Sequence, residues 1–278
     1  MKSLITYIHE GLRLGKGRRY KYHPETNEEL QELLKQLIKE RGNKADFNDI
    51  DTSKITDMSK LFFEMRDFNG DISGWDVSNV TNMRAMFDNC NTFNQNISKW
   101  NVSNVEDMRG IFKNCYKFNQ PLNNWNVSNL TNMRAMFYQC KAFNQDISKW
   151  NVSKVKDMDS MFSGCEKFNQ PLNDWNVSNV TDMQYLLLGC KSFNQPLDKW
   201  DVSKVQFMHG MFKDCTKFNQ PLDKWDVSNV KNIEHMFCNC KKFNQDLSGW
   251  DISTNVTRNN YTFYNCAIEQ NYRPKFKK

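Results

Sequence analysis

Apolar residues return along most of this chain with a period of 25. All eight tryptophans, Trp75, Trp100, Trp125, Trp150, Trp175, Trp200, Trp225 and Trp250, stand 25 residues apart without a slip. Written from one such position, a unit reads W-D/N-V-S-x-V-x-x-M-x-x-M-F-x-x-C-x-x-F-N-Q-x-I/L-x-x, as from Trp75 to Lys99. Full units run 51–75 through 226–250. A partial ninth begins at Asp251 and holds one extra residue, since Cys266 lies 26 positions after Cys240. A fixed period of this length is the signature of stacked units, each burying its apolar face against its neighbours.

Inside a unit, Met83, Met86, Phe87 and Cys90 recur at three- and four-residue spacing, which predicts about two turns of helix, with Thr81 as N-cap. Ile97, Trp100 and Val102 occupy a β-favouring stretch, which predicts a short strand around residues 99–103. The expected fold is an α/β repeat solenoid, a right-handed superhelix with one short parallel strand and one short helix per turn. Rungs about 4.8 Å apart would make eight of them a rod about 40 Å long. Pro121, Pro171, Pro196 and Pro221 share the slot after Phe-Asn-Gln; having no N–H, they place that slot just before the strand. The column Asn94, Asn119, Asn144, Asn169, Asn194, Asn219 and Asn244 reads as buried amides bonding the backbone of their own and the neighbouring rung.

Three parts follow: a helical N-terminal cap (1–50), eight repeats (51–250), and a C-terminal cap with a basic tail (251–278). In the first part Thr26 and Glu29 form a capping box. Leu30, Leu33, Leu34, Leu37 and Ile38 make one apolar stripe, and Gly42 sits at the C-cap. Phe47, Asn48 and Ile50 read as a degenerate lead-in to the array.

The apolar fraction of 39% and charged fraction of 25% describe a chain that folds. The net charge of +6 is scattered, not gathered into the stripe a nucleic-acid binder needs, so no specific nucleic-acid partner is expected. No stretch approaches the roughly 18 apolar residues of a membrane span. Met1 to Leu14 is too polar for a signal-peptide core, so no classical export is expected and the nine cysteines read as free thiols. Cys90, Cys115, Cys140, Cys165, Cys190, Cys215 and Cys240 form one column, continued by Cys266. Stacked neighbours point the same way, which suits neither a disulfide nor tetrahedral zinc. The column therefore reads as small core residues, with Met65 in the same slot of the first unit; Cys238, off the column, reads as exposed and reactive. Neither a catalytic constellation around His9, His23, His209 or His235 nor a phosphate-binding glycine loop appears, so no enzyme activity and no cofactor are expected.

The units resemble the DUF285 repeats of the BspA-like surface proteins, a divergent branch of leucine-rich repeats. "VSNVTNMRAMF" (77–87) and "FNQDISKW" (143–150) carry the likeness, which covers residues 51 to about 266. It implies a leucine-rich-repeat-like solenoid used in adhesion or protein binding. This sequence departs from such proteins in lacking their signal peptide, lipid-attachment cysteine and wall anchor. Separately, "MKSLITYIHE" before Gly11 resembles the capsid-targeting leaders of head-internal proteins in tailed phages, with Ile8-His9-Glu10 as the cleavage site; a plain N-terminal helix is the alternative. The expected location is the cytoplasm or a virion.

Positions that vary between units mark the solvent side. One slot runs Arg84, Arg109, Arg134, Asp159, Gln184, His209, Glu234 and another Asp88, Lys113, Tyr138, Ser163, Leu188, Lys213, Cys238. Tyr138, Tyr185, Leu188 and Phe207 are large apolar exceptions, the usual anchors of protein contacts. With His209, His235 and the basic extension Arg84, Arg109 and Arg134 they form the expected partner-binding strip, and mutual packing of Tyr185 and Phe207 is its bland alternative. A protein partner is the first reading. Carbohydrate on the Asn, Asp and Trp columns is the second, and a structural virion component the third.

Overall fold

A computed structural model describes residues 20–252 and 256–275; the leader motif at residues 1–10 lies outside them. The first element, α1 (Asn27–Arg41), starts where Thr26 Oγ1 accepts from the Glu29 N–H at 3.2 Å. It ends where Gly42, at φ +87°, donates its N–H to the Ile38 carbonyl. Leu30, Leu33, Leu34 and Leu37 are buried in a core continuous with the repeats, and Asn27 Nδ2 reaches the Ser59 carbonyl of the first rung at 3.1 Å. Phe47 and Ile50 also enter that core. The ring of Phe47 explains a departure from Phe-Asn-Gln in the first unit: a Cβ on Gly70 would stand 2.4 Å from Phe47 Cε2.

The repeats stack, but not through the predicted helix. Among the described residues α1 is the sole α-helix, and the only other helical piece is a 3-10 turn at Gln270–Tyr272. Residues 83–90 instead form a run of turns, with the N–H groups of Met86, Asp88 and Cys90 bonding three residues back to Met83, Ala85 and Phe87. The residues between them turn outward. Met83, Ala85, Phe87 and Asn89 donate to the carbonyls of Asp107, Arg109, Ile111 and Lys113 in the next rung at 2.8–2.9 Å. Two left-handed residues per rung, here Ala85 (φ +53°) and Asn89 (φ +65°), make this alternation possible. A helix would spend every N–H inside itself and leave the rungs joined by side chains alone; the turn run spends half of them on the neighbour. Met83, Met86, Phe87 and Cys90 face inward in either geometry, which is why their spacing reads as helical. Thr81 caps nothing: its N–H and Oγ1 both bond the Thr56 carbonyl of the previous rung.

The predicted strand at 99–103 is likewise absent. Parallel bridges join Asp57, Asn82 and Asp107, and then Asn132 through Asp157, Asp182, Phe207 and Asn232 to Arg258. Around the tryptophans the chain makes tight turns, as where the Trp100 N–H bonds the Ile97 carbonyl. Side chains fasten this part of the rung. In the tryptophan column each indole is 3–4% exposed, and Trp150 Nε1 donates at 3.0 Å to the Leu122 carbonyl of the previous rung. Rings so enclosed cannot stack on a sugar, which removes the tryptophan column from the carbohydrate reading. The proline slot does precede a turn: in other units Asp146 or Asn96 stands there and accepts the N–H of the serine two residues on.

Two phenylalanine columns fill the interior. Phe87 stacks on Phe93 at 4.1 Å within a rung and, nearly parallel, on Phe112 of the next at 5.7 Å. The column cysteines are free, fully buried, and more than filler: Cys165 Sγ lies 3.0 Å from the Phe137 carbonyl, and the pattern repeats from Cys90 to Cys240. Burial raises these thiols well above their ordinary range. Cys238, expected to be exposed, is 5% exposed; the more accessible thiol is the half-buried Cys266. The asparagine column is half-buried or exposed rather than buried, and forms a ladder in which Oδ1 of Asn144 accepts the N–H of Asn169, and so on from Asn69 to Glu269. No described helix is long and apolar enough to cross a membrane.

Candidate interaction surface

The first left-handed slot of the turn run is occupied in order by Lys60, Ala85, Gly110, Ala135, Ser160, Tyr185, Gly210, His235 and Tyr261. After Lys60 it is small in four successive rungs and aromatic in three of the last four. A side chain here lies along the surface toward the following rung, so its neighbour must make room. Gly210 does so: a Cβ there would stand 2.8 Å from Tyr185 Cδ1.

The result is a continuous row of rings. Tyr185 meets His209 edge-on at 4.7 Å, His209 lies 5.6 Å from His235, and His235 stacks on Tyr261 at 5.2 Å and 8°. Tyr264 closes the row, edge-on to Tyr261 at 5.8 Å. Tyr185, His209 and His235 are half-buried, whereas Tyr261 and Tyr264 are 62% and 60% exposed. Phe207, 36% exposed, stands two residues before His209 in a slot that the other full units fill with Asp or Asn; there it takes the place of side chains that bond the N–H two residues on.

Burial biases two groups of the row toward their neutral forms. Burial holds the His209 imidazole below its usual value; Glu234, with Oε2 3.7 Å from Nδ1, opposes this, while His235, Lys213 and Arg258 add to it. Burial and the charges of Asp159 and Glu234 push the Tyr185 phenol up. Nδ1 of His235 is buried without a hydrogen-bond partner. Among the described residues no three His, Cys, Asp or Glu side chains converge as metal ligands would.

Of the residues the sequence singled out, the structure brings Tyr185, His209 and His235 together, with Phe207 and Leu188 in the same rungs. Tyr138 shares a column with Leu188 but lies two rungs away, with Ser163 between. Arg84, Arg109 and Arg134 do not extend the row as a bare basic patch. Arg109 holds Asp107 of its own rung, Nε to Oδ1 at 3.0 Å, and Arg134 holds Asp159 of the next at 3.1 Å. Arg84 is exposed. The sequence reading missed Tyr261 and Tyr264. Counting back five residues from Cys266, as His235 precedes Cys240, places Tyr261 in the aromatic slot despite the insertion.

The family model described as "Mycoplasma protein of unknown function, DUF285" matches residues 29–138, 122–206 and 174–275. The chain belongs to the DUF285 family. Three overlapping matches to one model follow from repetition: the DUF285 pattern can be laid on the array in several registers. Its match also takes in most of α1. No curated protein matches the chain. A solved structure, the crystal structure of a TLR13–ssRNA13 complex, is similar at 10% identity with a TM-score of 0.19. The likeness covers 82% of this chain and 46% of that one, so this DUF285 chain spans less than half of its length, and a score so low carries no argument.

Proposed function

We propose that this DUF285 array is a non-enzymatic, protein-binding scaffold that holds its partner on the ring row from Tyr185 to Tyr264. One observation carries the reading. The core columns repeat almost without change, while one surface slot, small from Ala85 to Ser160, carries a ring in three of the last four rungs, and Tyr261 in it and Tyr264 beside it are mostly exposed. Packing does not ask for those rings, since Ala85 and Ala135 fill the same slot in rungs equally well formed. Clustered exposed aromatic rings with apolar neighbours are the common anchors of protein contacts, and a rigid rod presents them at low entropic cost. Adhesion, in the sense of holding a partner on another surface, is the finer form of this reading.

The test is a variant carrying Leu188→Gln, Phe207→Asn, Tyr261→Ser and Tyr264→Ser, set against a control altered at the exposed Lys99, Lys149 and Lys224. Both should unfold as the parent does. The parent and control should capture the same protein from extracts of cells that make the chain, and the row variant should lose it. Equal capture by all three would refute the reading.

A further inference from the structure

The stacking runs in one direction. In each turn run the alternate N–H groups point to the following rung and the carbonyls to the preceding one. Thus Ile233, His235, Phe237 and Asn239 donate to the carbonyls of Arg258, Asn260, Thr262 and Tyr264 at 2.9–3.0 Å. The equivalent donors of the last rung are the N–H groups of Asn259, Tyr261, Phe263 and Asn265. Among the described residues, none of them has an acceptor. The rung does not relax for want of one, because Tyr261 and Asn265 keep the left-handed conformation, φ +55° each, of their paired counterparts. The rest of the unit folds back over residues 240–250 instead, with the Ala267 N–H on the Cys240 carbonyl and the Leu247 N–H on the Tyr272 carbonyl.

We propose that this edge is a second interaction surface, on which a polypeptide segment of a partner protein adds one more rung by backbone pairing. A row of spaced, parallel donors asks for carbonyl oxygens at the same spacing, which an exposed ladder edge obtains from another chain. Every earlier rung shows the complement that fits. A second copy does not supply it. Its own C-terminal edge repeats these donors, and at its other end the matching carbonyls are those of Asp57, Ser59, Leu61 and Phe63, where α1 packs into the core through Leu30, Leu34 and Leu37 and Asn27 takes the Ser59 carbonyl, so a head-to-tail copy cannot seat all four. The surface rests on backbone donors rather than on the ring row, so the two readings fail separately.

Hydrogen exchange on the full chain is the first test. The amides of Asn259, Tyr261, Phe263 and Asn265 should exchange at nearly the intrinsic rate, while those of Ile233, His235, Phe237 and Asn239 stay protected. Protection of the first set at every protein concentration would mean that the chain closes its own edge. Protection appearing only as a dimer forms would assign the edge to a second copy. Either result overturns the proposal.

The second test uses a labelled peptide with the sequence of residues 155–164, whose carbonyls at Asp157, Asp159, Met161 and Ser163 accept from Met133, Ala135, Phe137 and Gln139 in the array. It should bind in an anisotropy titration and protect the four free amides. Asn259→Pro removes one donor after a residue, Arg258, that is already extended in a bridge, and should weaken binding about tenfold with residues 233–239 still protected. Asn259→Ala keeps the N–H and should bind as the parent does. No binding at millimolar peptide, or equal effects of the two substitutions, would overturn the proposal.

Discussion

The asparagine ladder makes a sharp prediction about charge. Oδ1 of Asn144 accepts the Asn169 N–H at 2.9 Å and Nε2 of Gln170 at 3.1 Å, while the Asn144 N–H goes to Oδ1 of Asn119 at 2.9 Å. Asn144→Ala strips the Asn169 N–H of its acceptor in a half-buried place, at a cost of about 1–3 kcal/mol. Asn144→Asp keeps the acceptor and should cost less than about 1 kcal/mol, because a carboxylate receives a backbone N–H at least as well as an amide does. Asparagine at every level is then a matter of the column, not of the single site. Two carboxylates on successive rungs, about 5 Å apart, repel by roughly 0.8 kcal/mol at an effective dielectric of 80 and roughly 3 kcal/mol at 20. A double-mutant cycle of Asn144→Asp and Asn169→Asp, read by urea unfolding, should therefore show a destabilising coupling of about 1–3 kcal/mol, shrinking in 1 M salt. Additive costs, or Asn144→Asp as harmful as Asn144→Ala, would refute the ladder as the reason for the column.

Other outcomes follow from single contacts. Gly210→Ala should lower stability by about 1–3 kcal/mol, since its Cβ meets the Tyr185 ring and its φ of +59° disfavours a Cβ, and a Tyr185→Ala background should remove the first part and leave about 1 kcal/mol when thermal midpoints are compared. Ellman's reagent should find one fast thiol in the folded chain, Cys266, eliminated by Cys266→Ser. The column thiols should react only on unfolding, and fast labelling of Cys140 or Cys165 would contradict their burial. Because burial depresses the His209 imidazole, the unfolded chain takes up a proton that the folded chain refuses as pH falls below about 6.5. Stability should therefore fall from pH 7.5 toward pH 5.5, levelling once the folded form protonates. His209→Gln should flatten that part of the urea-midpoint profile; an unchanged slope would assign it to other groups.

Much of this protein is legible in one dimension. A strict 25-residue period with tryptophan, cysteine, phenylalanine and asparagine columns dictates stacking, because no single unit can bury its own apolar face. The same columns mark the interior, and the slots that vary mark the surface. The α1 helix is equally local: its cap, its leucine stripe and its terminal glycine lie within 17 consecutive residues, 26–42.

What the rung does with its backbone was decided by the stack. Apolar residues at 83, 86, 87 and 90 point inward from a helix and from a run of turns alike, so periodicity could not choose between them. The choice falls to the N–H groups, which find carbonyls in the next rung only when every second residue turns outward. A trace of this is written in the slot before the column cysteines, where Asn89, Asn114, Gly164, Gly189, Asp214 and Asn239, though not Gln139, are residue types that tolerate the left-handed region. The ring row is likewise tertiary. Tyr185, His209, His235 and Tyr261 are separated by 24 to 26 positions, and only the rise of one rung per unit sets them side by side. The donor row from Asn259 to Asn265 is likewise a product of one-directional stacking, for among the described residues no further rung offers these N–H groups its carbonyls.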